Sequence, residues 1–306
     1  MTGKQPNAPS DHFRAWDDFW RNEGAGGGCL PSAMATIDLT QATLWHAFAK
    51  RLVRNARTLD IATGDGKVMA HMLSVRPDIR PMGIDLASQL PPPPKGCKLK
   101  PGVAMEALPF PNGFFAGVTS QFGLEYGDID AALAEMARVL GSEGRLGLII
   151  HRQDGPILAH NIARREGLRW ALEDQGLIEK AKAGLSLRAM GVVVPPFLAN
   201  LTNEAIARYG TGSAAWEICA AVVETLRGGT NFPVYHVTET LGILAAKARN
   251  EIGRINSLEQ ACAAIADVDR LKERVENAGF AIGACEPVTA RNEPKAFANI
   301  LLAQLA

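Results

Sequence analysis

Between residues 58 and 151, short apolar runs alternate with segments whose apolar positions recur every three or four residues. Thr58–Ala62, Pro81–Leu86, Ala116–Phe122 and Arg145–His151 read as strands, and Val103–Met105 as a shorter one. Val68–Leu73 and Asp130–Leu140 read as helices, the second predicted to be capped by Asp130 and closed by Gly141. Upstream, Leu44, Phe48 and Leu52 recur every four residues and predict an amphipathic helix over Asp38–Arg54. Strand, helix and strand repeated in this order predict an α/β fold, a parallel sheet with helices on both faces.

After Gly155 the pattern changes. Residues 156–278 carry only helical periodicity and loops, and their 14 basic and 14 acidic residues give no charge preference. Ser257 and Gln260 have capping-box spacing, so a helix is expected to start there, with Leu258, Cys262, Ile265, Val268, Leu271 and Val275 on one stripe. Phe280–Val288 and Ala296–Ala303, around the polar turn Arg291–Lys295, predict an antiparallel hairpin at a sheet edge. Three parts follow: an N-terminal segment 1–37, an α/β core 38–155 with 279–306, and a helical cap 156–278 inserted between the fifth and sixth strands. The polar opening MTGKQPNAPS reads as a mobile tail. The run Gly24, Gly26, Gly27, Gly28 reads as a hinge or as a lid over a ligand. Trp16 and Trp20, at helical spacing, serve the core or that lid.

Charge narrows the function. Thirty-two Lys and Arg balance 32 Asp and Glu, which argues against a general nucleic-acid binder. The longest apolar stretch, Ala189–Ala199, is too short to span a bilayer and contains Pro195 and Pro196. The five cysteines form no CxxC pair, so a reducing, cytoplasmic setting is the simplest reading.

The informative stretch is Leu59-Asp60-Ile61-Ala62-Thr63-Gly64-Asp65-Gly66. A buried strand runs into a turn with two glycines and then a helix, which lets backbone approach a ligand closely. Asp85 ends the next strand, placed to accept both hydrogens of a ribose diol. A dinucleotide fold wants a third glycine where Met69 stands. Asp60 also suits a cationic amino-acid moiety better than a phosphate.

With LDIATGDG (59–66), GIDLA (83–87), MEALPFPNGFF (105–115) and RVLGSEGRLGLII (138–150), the chain resembles the class I S-adenosylmethionine-dependent methyltransferases, especially the small-molecule branch similar to ubiquinone/menaquinone-biosynthesis enzymes. The resemblance covers about residues 45–155 and the terminal hairpin. It implies a doubly wound, mostly parallel seven-stranded Rossmann-like sheet with S-adenosyl-L-methionine as cofactor. It implies that Asp60, Thr63, Gly64 and Gly66 line the methionine half of the cofactor. By the same resemblance Asp85 holds the ribose, Leu86, Met105 and Glu106 surround the adenine, and Gln121 lies beneath the sulfonium. The sequence departs from the family at Ala62, where the turn's first glycine is expected and alanine is a mild change if its φ is negative. It departs again at Ala104 and Phe115, where the family often has Asp. Ala104 leaves the adenine amino group to backbone, water or Glu106, at a cost on the order of 1 kcal/mol.

Methyl transfer needs alignment and dryness, and a base only where the acceptor must lose a proton. His151, Glu125 and Tyr126 follow the fourth and fifth strands and are the candidates for acceptor chemistry. The expected partner is a small, partly apolar methyl acceptor, without nucleic acid or membrane. The helical segment would either cap the acceptor pocket, with Val192–Leu198 at an entrance and Phe232, Tyr235 and His236 in a pocket loop, or pair two copies as a homodimer. A cofactor-binding protein without catalysis, whose helices dock a partner, is the rival from another class; a nicotinamide-dependent oxidoreductase is disfavoured by Met69 and the LPFP segment.

Overall fold

The computed structural model describes residues 11–22, 35–291 and 293–306. The expected tail and the glycine run lie outside them. The short apolar runs become strands because both their faces are covered, which suits near-continuous hydrophobic segments. β1 (Arg57–Ile61) is buried along its last four residues. β2 (Arg80–Ile84), β3 (Lys98–Lys100), β4 (Phe115–Gln121) and β5 (Leu140–His151) join it in parallel. Leu59 stands opposite Met82 on one side and Val118 on the other. β6 (Phe280–Val288) and β7 (Ala298–Leu305) form the hairpin, and β7 runs antiparallel to β5, with Leu301 opposite Leu148. The order β3-β2-β1-β4-β5-β7-β6 makes seven strands, as the resemblance implies. The strand sequence reverses direction between β1 and β4, and open α/β sheets bind ligands at the carboxyl ends beside such a point.

The helices of this unit are α1 (Asp11–Asn22), α2 (Ala35–Lys50), α3 (Lys67–Val75), α4 (Ile129–Val139) and α10 (Val268–Asn277). Leu133 and Met136 of α4 and Leu271 and Val275 of α10 share one core with Leu59, Val118, Leu146 and Leu301 of the sheet. Trp45 of α2 is fully buried, edge-on to Phe48 at 5.9 Å. Both rings lie over Gly147 of β5, where an added Cβ would come within 2.9 Å of Phe48. The four-residue stripe through Leu44, Phe48 and Leu52 passed over Trp45 because a helix sandwiched against a sheet buries more than one narrow stripe.

Several local expectations change. The third strand falls at Lys98–Lys100 rather than Val103–Met105: a polar edge strand needs no apolar run. Val103 is buried, but its N–H bonds the Asp85 carbonyl at 2.9 Å beyond the ladder. Asp128, not Asp130, caps α4, accepting from the N–H groups of Asp130 and Ala131. The Asp130 carboxylate instead accepts from Arg274 of α10. Ser257 opens no helix. It lies buried within α9 (Val234–Ala264), and the stripe breaks before Asp267, which caps α10.

Residues 159–256 form a second compact unit. Its helices come from α5 (Pro156–Arg169), α6 (Leu177–Gly184), α7 (Pro196–Tyr209), α8 (Ala214–Gly228) and α9. Trp170, Leu177, Leu201, Val222, Leu226 and Leu241 form its own core. The Arg188 guanidinium donates to the carbonyls of Leu226 and Gly229 and so ties a helical turn to the end of α8. No described helix is long and apolar enough to cross a membrane.

Ala62 has φ +53°, the left-handed region, so its replacement of the family's glycine is not the mild change that a negative φ would make it. Such a conformation costs an L-residue with a Cβ roughly 1–2 kcal/mol that glycine avoids. Ala62→Gly is expected to raise unfolding stability by about 1 kcal/mol, read as a higher urea midpoint with unchanged slope.

Candidate active site

β1 delivers Asp60 to its own carboxyl end and then turns. Thr63 donates its N–H to the Ile84 carbonyl of β2 at 2.9 Å, which pins the turn to the neighbouring strand. Gly64 and Gly66 follow with φ +52° and +78°, and α3 begins at Lys67. Asp85, just past β2, closes the arrangement: one carboxylate oxygen accepts from the Gly64 N–H and the other from the Ala87 N–H, both at 3.0 Å. Each oxygen keeps a second acceptor position.

Asp60 is almost wholly buried and accepts from the hydroxyls of Thr63 at 2.6 Å and Thr119 at 2.8 Å. Burial outweighs these two hydrogen bonds and pushes its carboxyl up to about 7, with Asp65 and Asp85 adding repulsion. Burial likewise raises the Asp85 carboxyl. The sign follows directly. An acid whose folded pKa lies above its unfolded value contributes stability at low pH, and that contribution is lost as pH rises from about 4, its unfolded value, through the folded pKa of about 7.

These groups line one cavity of about 240 Å³. Asp60, Thr63, Gly64, Asp85, Leu86, Met105, Glu106, Gln121 and Tyr126 all face it. Gly66 shapes the turn without lining the cavity. Glu125 and His151 stand one layer back: His151 is 1% exposed and stacks on Phe122, a lining residue, at 4.1 Å between ring centroids. One oxygen of Glu125 receives both the backbone N–H of His151 at 2.9 Å and its ring Nδ1 at 2.8 Å. A carboxylate there holds the proton on Nδ1 and leaves Nε2 as the ring's acceptor nitrogen. Gln121 is fixed from behind. Its carbonyl accepts from the Trp45 indole N–H at 2.7 Å, and its amide lies 3.5 Å from the buried Gln41.

Sequence reasoning missed Asp17, Lys67, Phe122 and Gly123 in the lining, and Trp45 and Gln41 behind it. Phe122 carried one signal, a large residue next to a glycine at a strand end. Its φ of +57° makes it, with Ala62, one of two non-glycine lining residues in the left-handed region among the described residues. Such outliers persist where the surroundings over-determine them, often at functional sites.

Among the described residues, five acidic side chains, Asp17, Asp60, Asp65, Asp85 and Glu106, face the cavity against one ammonium, Lys67, which pairs with Asp38. That set repels phosphate and suits a ligand of net positive charge bearing a diol. A family model described as a methyltransferase domain matches residues 59–148, which run from β1 to the middle of β5 and include the glycine turn and Asp85. Residues 59–148 carry a methyltransferase domain. The methyltransferase fold extends past the matched stretch through the β6–β7 hairpin. No curated protein matches the chain by sequence. Among solved structures, the complex of a methyltransferase with the Trm112 activator from Haloferax volcanii is 12% identical, covering 98% of this chain and 99% of that one at a TM-score of 0.47. A SAM-dependent methyltransferase from Aquifex aeolicus is 10% identical over 88% of this chain and 92% of its own, at a TM-score of 0.44. Geranyl diphosphate C-methyltransferase from Streptomyces coelicolor A3(2) is 15% identical over 48% and 67%, at a TM-score of 0.38.

S-adenosylmethionine is the cofactor of this methyltransferase domain. The residues present fit it: the sulfonium and ammonium outweigh its one carboxylate, matching the acidic lining, and Asp85 keeps acceptor capacity for a ribose diol.

Proposed function

We propose that the protein transfers a methyl group from S-adenosylmethionine to a small, partly apolar molecule. The observation that carries the acceptor class is the wall of Trp16, Phe122 and Tyr126, aromatic and uncharged, which adjoins the acidic cradle in the same cavity. Aromatic walls favour a flat or apolar body, and a cavity of this charge disfavours phosphorylated acceptors.

In this reading Asp60, Thr63, Gly64 and Gly66 hold the methionine half of the cofactor, and Asp85 accepts from both ribose hydroxyls. Leu86, Met105 and Glu106 enclose the adenine, with Glu106 oriented by the Asp128 N–H that it accepts at 2.9 Å. Gln121, locked by Trp45, lies beneath the sulfonium. The bound cofactor supplies a methyl group already activated by positive sulfur. The chain's task is therefore to align an acceptor and keep water out. Tyr126 touches the acceptor. His151 and Glu125 position the Phe122–Tyr126 wall from behind.

The test is calorimetry with S-adenosylmethionine from pH 5.5 to 8, followed by transfer of labelled methyl to pools of neutral, partly apolar hydroxyl and amine compounds. Affinity is expected to rise with pH as Asp60 ionises, by about tenfold for each pKa unit that binding removes. Asp60→Asn should flatten that slope. Binding without transfer to any pool would replace the enzyme with a silent cofactor-binding protein, and pH-independent binding would remove Asp60 from the site.

A further inference from the structure

Helix α1 crosses the carboxyl ends of three adjacent strands. The Asp17 carboxylate accepts the Ser88 N–H at 2.6 Å, beyond β2. The Trp20 indole rests on the glycine turn beyond β1, one ring carbon lying 2.5 Å from where a Cβ on Gly64 would stand. Trp16 meets Tyr126, beyond β4, edge-on at 5.7 Å. Trp16 and Trp20, and likewise Asp17 and Arg21, are four residues apart, so one face makes every contact. Arg21 pairs with Asp17 and reaches the Ser88 hydroxyl at 3.4 Å. Asp17 is 7% exposed, while the Arg21 side chain beside it stays 46% exposed.

The cavity beneath encloses about 240 Å³, less than the roughly 300 Å³ at which small-molecule pockets begin, and it must accept a nucleoside with its amino-acid tail. Trp20 covers the backbone that the turn exists to expose. The other walls are the ends of strands in a seven-stranded sheet and the turns, loops and helix start that follow them. α1 has 12 residues, a length at which an isolated helix is marginal in water, so its order depends on this docking.

We propose that α1 is a strap clasped over the cofactor crevice by Asp17 and Trp20, and that it lifts to admit the cofactor and release its demethylated product. The inference rests on the crevice being the cofactor site.

Two variants, Asp17→Ala and Trp20→Ala, test it by hydrogen exchange of the ligand-free protein and by surface plasmon resonance with S-adenosylhomocysteine. Each variant is expected to speed amide exchange across residues 11–22 by about tenfold, leaving 57–61 and 115–121 unchanged. Association and dissociation should both accelerate by a similar factor, while in the wild type the ligand slows exchange across 11–22. Exchange across 11–22 and both rates remaining within about twofold of wild type would overturn the strap alone, since binding would persist. Failure of the wild-type chain to bind the product at all would overturn the cofactor site and the strap with it.

Discussion

Asp85→Ala is expected to weaken S-adenosylmethionine binding by about 100-fold or more, on the order of 3 kcal/mol. Two losses combine. The proposed ribose acceptors disappear, and each hydrogen bond to a charged group is worth about 1.5–3 kcal/mol. The Gly64 and Ala87 N–H groups also lose their shared partner, so the glycine turn is no longer tied to the end of β2. Asp85→Asn should fall between the two, since an amide keeps one oxygen for one of these N–H donors. Thermal melting of the ligand-free variants separates the contributions. A large loss of affinity with little change in melting places the effect on the ligand, and unchanged affinity in Asp85→Ala would show that the ribose lies elsewhere.

The second large effect concerns stability. Glu125→Ala is expected to destabilise the protein by about 3 kcal/mol, because it strands the buried N–H and ring Nδ1 of His151. In a unit of about 200 residues that corresponds to a melting temperature lower by roughly 6–12 °C. Glu125→Gln keeps an oxygen facing both donors and should recover most of the loss. A positioning role beyond stability predicts that Glu125→Gln, though folded, shifts the pH profile of methyl transfer, because the amide lacks the negative charge that the carboxylate sets against the ring. A pH profile identical to wild type would leave the pair a structural one.

The parts of the molecule differ in how far they were legible beforehand. β1, the glycine turn and Asp85 form a local signal: a buried strand, two glycines and an acid at the end of the next strand lie within 29 residues. The hairpin was legible for the same reason, since two β-rich runs flank one polar turn. The strap was not. Asp17 meets Ser88 across 71 positions, and no periodicity links an aspartate on one short helix to a backbone N–H beyond β2. Trp16 and Trp20 were visible as a helical pair, but the side they face is decided by the sheet. The caps show a finer limit. Asp128 and Asp130 are chemically equal candidates, and the choice falls on whichever is not drawn to Arg274 from 144 positions away. Ser257 has the spacing of a capping box, yet a longer helix with continuous packing overrides it. His151 ends β5 as the sequence suggested, but its depth behind Phe122 was not legible, because Phe122 takes a left-handed φ that a phenylalanine does not advertise.

Ala62 and Ala104 are two of the three positions at which the chain departs from the pattern of the family it resembles, and of the two Ala62 lines the cavity. Ala62 keeps the left-handed turn without the residue best suited to it, and the turn is held by Thr63 on Ile84 and by Asp85 on Gly64. Beside Ala104, Glu106 is the carboxylate that lines the cavity.

The most direct test of the account is a crystal structure with S-adenosylhomocysteine. The expected result is the nucleoside seated over Gly64, both ribose hydroxyls on the Asp85 carboxylate, the amino-acid tail toward Asp60, and α1 displaced or closed over it. The glycine notch still filled by Trp20, with the nucleoside bound elsewhere or absent, would contradict it.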